Sequence, residues 1–338
     1  NEADQFIQLL LAASDQRTVP IYVALTMRSD FLGDCARFRG LPEHLNGSQF
    51  IIPRLERPDL RAAIEGPARL AGTPIEPALV TRLLNDLGDE PNRLPLLQHA
   101  LRRLWDRWST TQETGKSLSL KMYLTQVGAL DGDAKADAEA DRYGALHRHA
   151  QEVFERLPDE VSRGGVEKLF KALTEMAPDN RPIRRPETAG RLAALLWPDE
   201  PQENGIDKLA SLTRSFRTEE TGFLTPPSPP DVLPVEATLD ISHESLISHW
   251  DTLRRWVLEE ANDAKQLRRL LDDAERGVHY NDELLGKVES WWKTCQPSHA
   301  WAERYVPGQW DRVTEFWQEE TWQAMAERVR AVHLDDQR

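Results

Sequence analysis

Apolar positions in this chain recur mostly at helical spacing, with a few short extended runs between them. Phe6, Leu9 and Leu10 predict a first helix over Glu2 to Ser14. Val19-Pro-Ile-Tyr-Val-Ala-Leu-Thr-Met27 reads differently. It is a nearly continuous apolar run rich in β-branched residues, which suits a strand buried on both faces of a parallel sheet. The run ends in Arg28-Ser-Asp30, so polar groups fall at the carboxyl end of the strand, where open α/β sheets bind ligands. One strand makes no sheet, so its partners are expected upstream of residue 1, in another chain, or cut away. Phe50-Ile-Ile-Pro53 predicts a second short extended piece.

Three amphipathic helices follow. The first opens at Pro58-Asp59 and uses Leu60, Ile64 and Leu70, with Gly66-Pro67 expected to kink or split it. The second opens near Glu76-Pro77 and uses Leu79, Val80, Leu83, Leu84 and Leu87. The third, from Leu94, puts Leu97, Leu101, Leu104 and Trp105 on one stripe and Arg102, Arg103 and Asp106 opposite. Asp131 to Asp141 reads as an exposed linker or a frayed helix start. Helical spacing resumes over His147–Leu157, Val166–Met176, Pro186–Leu196 and Ile206–Phe216. Thr225-Pro-Pro-Ser-Pro-Pro-Asp231 excludes both helix and central strand. Val232–Ile241 predicts a strand, with Thr221–Leu224 as its antiparallel partner. Helices, then a hairpin with a proline-rich tip, then an amphipathic helix from His243 to Leu258 make a winged-helix pattern. The remainder reads as helical, and no fixed-period repeat is present.

Composition narrows the picture. The chain has 338 residues, 40% hydrophobic and 29% charged, which fits a globular protein of two or three packed units. No run approaches the ~20 apolar residues of a membrane span. The first residues carry no secretion signal, and the two cysteines, Cys35 and Cys295, form no metal spacing. A reducing cytoplasmic setting is expected. The net charge of −14 repels phosphate backbones, which disfavours broad nucleic-acid binding. Six of the 11 tryptophans, Trp291, Trp292, Trp301, Trp310, Trp317 and Trp322, crowd the C-terminal end. They read as packing anchors or as a docking face for a neighbouring domain.

Several chemistries fail on spacing. His243-Glu244 has Ile247 where a zinc-protease helix needs its second histidine. His147 and His149 lie two apart and point to different sides of a helix, so they read as surface histidines. Asp131-Gly-Asp133 lacks the ligands of a calcium loop. No Gly-x4-Gly-Lys-Ser/Thr loop occurs, so the chain is not expected to hold Mg-ATP in the usual way by itself.

Five remaining segments carry a resemblance. Leu25-Thr-Met-Arg-Ser-Asp-Phe-Leu-Gly33, then Gly40-Leu-Pro42, Ala71-Gly72, Leu94-Pro-Leu-Leu-Gln-His-Ala-Leu-Arg-Arg-Leu-Trp105, and His243-Glu-Ser-Leu-Ile247 with Trp250 and Leu253-Arg-Arg-Trp256 follow one another in order. Together they resemble the STAND class of signal-transduction ATPases, in the novel STAND type found in bacterial WD-repeat and protease-fused proteins. The resemblance implies a mainly α fold with a small β component. It places the end of an α/β P-loop ATPase core at residues 1–54, a helical lid at 55–128, a winged-helix domain at 129–260 and a helical extension at 261–338. It further implies three nucleotide-contacting residues. Arg28 would be the sensor arginine reaching the terminal phosphate of ATP, unless it only pairs with Asp30 or Asp34. Pro95 would pack on adenine, unless it is only a first-turn helix proline. His243 would bond the β-phosphate of ADP, unless it is a satisfied imidazole at a helix start.

In the intact parent, ATP or ADP with Mg is implied as cofactor, and none is expected on this chain alone, which should be inactive by itself. The implied partners are an N-terminal NTPase core or effector domain and a homo-oligomer or other protein, in bacterial defence or stress signalling. The residues leave two other readings open, a nucleotide-independent interaction scaffold and a winged-helix DNA-binding protein.

Overall fold

The computed structural model describes residues 2–27, 31–87, 94–110, 117–130, 144–177, 180–228 and 231–335. It is mainly helical with small sheets and divides into two compact units, Asn1–Glu56 and Arg57–Arg338.

In the first unit, α1 (Glu2–Asp15) and α2 (Leu41–Ser48) flank a 3-10 turn at Gly33–Arg37. Gln8 Nε2 donates to the Arg39 carbonyl at 2.8 Å, and His44 bridges Asp15 and the Gly40 carbonyl, each at 2.9 Å. Gly40 sits at φ +87°, where a side chain would be strained, and a Cβ there would meet Leu11 at 3.3 Å. The run Val19–Met27 lacks here the sheet partners that its strand reading expects outside these residues. It pairs with no strand among the described residues and lies exposed, with Tyr22 at 94%. Phe50–Pro53 is likewise extended, unpaired and exposed. β-branched composition favours a pleated surface only where a ladder exists to receive it.

The second unit opens with α3 (Arg57–Leu70), α4 (Pro77–Leu87) and α5 (Leu94–Thr110). Pro67 does not split α3. One lost backbone bond is outweighed by burial of Ile64 and Ala68 on either side. Helix α4 buries Leu79, Leu83 and Leu84 almost completely, as its spacing predicts. A short α6 (Leu120–Met122) runs into a wide turn at Tyr123–Val127. There the Tyr123 hydroxyl donates to Asp86 at 2.8 Å and accepts the Leu130 N–H at 2.9 Å, so one buried oxygen ties the turn to α4.

Next come α7 (Ala145–Glu155) and α8 (Glu160–Ala172). Helix α8 stops before the predicted end. Thr174 turns its hydroxyl back to the Phe170 carbonyl at 2.8 Å, and Thr174–Met176 (β1) pairs antiparallel with Pro182–Arg184 (β2). Glu187–Thr188 (β3) is a strand where a helix start is expected. Thr188 caps α9 (Ala189–Leu196), which packs on α10 (Gln202–Arg217). Leu224–Thr225 (β4) and Thr238–Ile241 (β5) complete an antiparallel sheet in the order β3-β5-β4. The predicted hairpin is therefore present but shorter, and β3 adds a second edge to it. Buried Arg217 donates to the carbonyls of Pro226 and Pro227 at 2.7 and 3.2 Å, which pins the proline-rich tip to α10.

The helix predicted from His243 to Leu258 is two helices, α11 (Ser245–His249) and α12 (Asp251–Arg276), broken at Trp250. Extended backbone at Trp250 drives its indole into a cage of Phe154, Phe170, Phe216 and Trp256, with ring centroids 5.3–6.4 Å away. A smaller second core joins α12 to α13 (Asp282–Cys295), α14 (His299–Ala302) and α15 (Trp310–Asp335). Most of the clustered tryptophans pack here, in line with the packing reading. Trp292 stacks on Trp310 and Trp317, while Trp322 is 72% exposed. Buried Glu260 accepts from Trp301 Nε1 at 2.8 Å and the Tyr305 hydroxyl at 2.6 Å. Arg304 reaches the Ala172 carbonyl at 2.8 Å and fastens the extension to α8.

Candidate functional site

The first turn of α5 places Pro95 where a helix needs no backbone N–H. One turn on comes His99, and one further turn brings Arg103 to the same face, at i+4 spacing. That face meets α7. Arg103, only 5% exposed, donates to Glu152 at 2.6 Å, and His99 Nε2 lies 3.3 Å from His149 Nδ1. Phe223 closes over both imidazoles, with centroids 5.7 and 5.0 Å away.

The sheet delivers the opposite wall. Leu224 pairs with Ile241, and the Ser242 N–H donates to the Phe223 carbonyl at 3.0 Å. This extends the ladder by one bond and sets His243 beside Gly222–Phe223. The chain then enters α11 through the Leu246 N–H bond to the His243 carbonyl at 3.0 Å.

Pro95, His99, Thr221, Phe223, Ser242, His243 and Ser245 thus line one cavity of about 40 Å³, with Leu146, Leu246 and Gly222 completing it. Its lining residues include two histidines, three hydroxyl-bearing residues and a proline, and no carboxylate. In a chain of net charge −14, that lining suits an anionic group. Its volume is that of a few water molecules, far less than a whole nucleotide occupies. Pro95 and His243 are therefore brought together. Arg28 lies outside the described residues, as do Asp131 and Asp133. Among the described residues, no group of three or more histidine, cysteine or carboxylate side chains is gathered around a metal-sized site.

Two sequence expectations are corrected here. His147 and His149 do point apart, yet neither is a surface histidine, because α7 is packed on both sides. His147 Nδ1 accepts the Asp251 N–H at 3.2 Å and caps α12, which has no side-chain cap from Trp250. Burial lowers the affinity of His147 for a proton. It lowers His99 to about 4 and His149 to about 2, with Arg103 adding to both. Arg103 is the second correction. It belongs to the buried side of α5, not to the polar stripe, because Glu152 on α7 meets its charge. The four-residue step from Pro95 to His99 to Arg103 is the signal in the sequence that marks this face.

A larger apolar groove of about 580 Å³ lies between α3 and α5, walled by Ile64, Pro67, Leu97, Leu101 and Trp105. No helix among the described residues is long and apolar enough to cross a membrane.

A family model described as Novel STAND NTPase 1 matches residues 1–281, and the chain belongs to that family. Neither the curated proteins nor the solved structures compared with it gave a match.

Proposed function

We propose that this novel STAND NTPase chain is the switch portion of a signalling ATPase, coupling its ADP or ATP state to opening, oligomerisation and activation of an effector. The observation that carries this reading is the shared cavity of Pro95 and His243, residues far apart in sequence on elements of different kinds. In this reading residues 1–54 end an α/β core, 55–128 form the lid, 129–260 the winged helix and 261–338 its extension. The order α8, β3, α9, α10, β4, β5, with β5 between the other two strands, supports the winged-helix assignment. A cytoplasmic bacterial setting, an N-terminal core or effector partner and self-association follow from the same reading.

Bound ADP supplies a purine face and phosphate oxygens. Pro95 would offer its ring to the purine, and His243 would donate to a phosphate oxygen. With that bond made, the turn before α11 is tied to the start of α5 through one ligand. With it broken, the two elements are free to separate, a population shift set by differential contacts. Arg28 would pair with the terminal phosphate that distinguishes ATP, through charge-assisted bonds.

A hydrogen bond to a charged group contributes roughly 1.5–3 kcal/mol. His243→Ala should therefore speed ADP release from the natural full-length protein about 10- to 150-fold, measured with a fluorescent ADP analogue. An unchanged rate removes the clamp.

The apolar groove between α3 and α5 favours a second reading, a nucleotide-independent interaction scaffold. Calorimetry that detects no ADP or ATP binding to the full-length protein would support it against the switch.

A further inference from the structure

Beneath the cavity sits a pair of imidazoles that the clamp does not use. His99 lines the cavity with Pro95 and His243, and its inner nitrogen lies 3.3 Å from His149 Nδ1. When both rings are neutral, one of these nitrogens donates and the other accepts, so a single proton is held between them. The charges acting on the pair are Arg103 and Arg107 from α5, Arg156 from α7, and the His243 imidazole across the cavity. Glu152, the nearby carboxylate on α7, is already engaged by Arg103 at 2.6 Å. An added proton therefore enters a buried, positively charged pocket, which is unfavourable unless an anion in the cavity balances it.

We infer that His99 is a second anion-contacting side chain of this site, and that His149 is the positioning residue that orients it by sharing a proton. This rests on the cavity facing a phosphate, as proposed above. With an anionic oxygen beside it, the His99 ring takes one proton from solvent and becomes a donor at both nitrogens. One N–H goes to His149 Nδ1 and the other toward the anion. Anion binding at this site is thereby coupled to uptake of a proton, and ADP is held more tightly as pH falls toward 6. Burial keeps the pair neutral at pH 7 when the cavity holds no anion.

The experiment measures ADP release and ADP-binding heats for the natural full-length protein between pH 6 and 8. Wild type should release ADP up to about 2-fold more slowly at pH 6 than at pH 8, since one charge-assisted bond strengthens proton binding by only one to two decades. His99→Gln should flatten this profile and release ADP up to about 2-fold faster at pH 6. His149→Gln should flatten it too, with a smaller loss at pH 8, because the contacting ring remains. Calorimetry in buffers of different ionisation heat should show proton uptake on ADP binding that persists in His243→Ala and vanishes in His99→Gln. The wild-type and His243→Ala measurements need no change at His99, so a poorly folding variant there does not leave the idea untested. If His99→Gln weakens retention equally at every pH, or His243→Ala binds ADP without proton uptake, the role of His99 is overturned while the clamp stands. If His243→Ala and His99→Gln both release ADP at the wild-type rate, the phosphate-facing cavity itself is rejected.

Discussion

The segment Val19–Met27 and the strand Thr238–Ile241 make an instructive contrast. The first is longer and more apolar, yet it is exposed and unpaired among the described residues. The second contains an aspartate, yet it is the middle strand of a sheet. Thr188 and Glu187 pair on one side of it, Thr225 and Leu224 on the other, and Leu239 and Ile241 are fully buried. The difference extends to the two units that hold them. Residues 57–276 are organised around Trp250 and its aromatic cage, whereas 1–56 bury few large side chains. Apolar composition makes a strand available; only a hydrogen-bonded partner makes it one.

That contrast can be broken at several points. Trp250→Ala removes the centre of the cage and the bond from its Nε1 to Gln151 at 3.0 Å. It should cost about 3–5 kcal/mol in denaturant unfolding of the larger unit, and a loss below 1 kcal/mol would mean the cage does not organise this core.

Acid should act next. The His99 ring protonates near 6.5 when unfolded and only near 4 when buried. Because its folded value is the lower one, the unfolded state binds more protons between these limits. The contribution of neutral His99 is thus complete above pH 6.5 and fades as pH falls toward 4, by about 3 kcal/mol at most. His99→Gln should remove this part of the pH dependence of the melting temperature.

Tyr123→Phe leaves the buried Leu130 N–H without its acceptor and should cost about 1–2 kcal/mol. A smaller effect would show that water replaces the hydroxyl. At the other end of the scale, Phe50→Ser and Ile51→Ser alter side chains already in solvent. Each should change unfolding free energy by less than about 0.5 kcal/mol. A larger loss would show that 1–56 bury this segment after all.

Helical periodicity carried much of this molecule. The spacing of Leu79, Leu83 and Leu84 marks the buried face of α4, and Leu97 and Leu104 do the same for α5. Proline chemistry marked the tip after β4, and the resemblance named Pro95 and His243 before any geometry placed them at one cavity. Those features rest on neighbours within one or two helical turns, which a sequence displays directly. Tertiary structure alone decided the rest: that Val19–Met27 has no ladder among the described residues, that Trp250 breaks one amphipathic run into α11 and α12, and that Arg103 and His147 are buried and His149 half-buried. Each of these depends on a partner far along the chain, such as Glu152 for Arg103 or His149 for His99. A charged or imidazole side chain looks the same in sequence whether water or a distant residue satisfies it. Only packing that excludes the water makes the distinction, and with it the site.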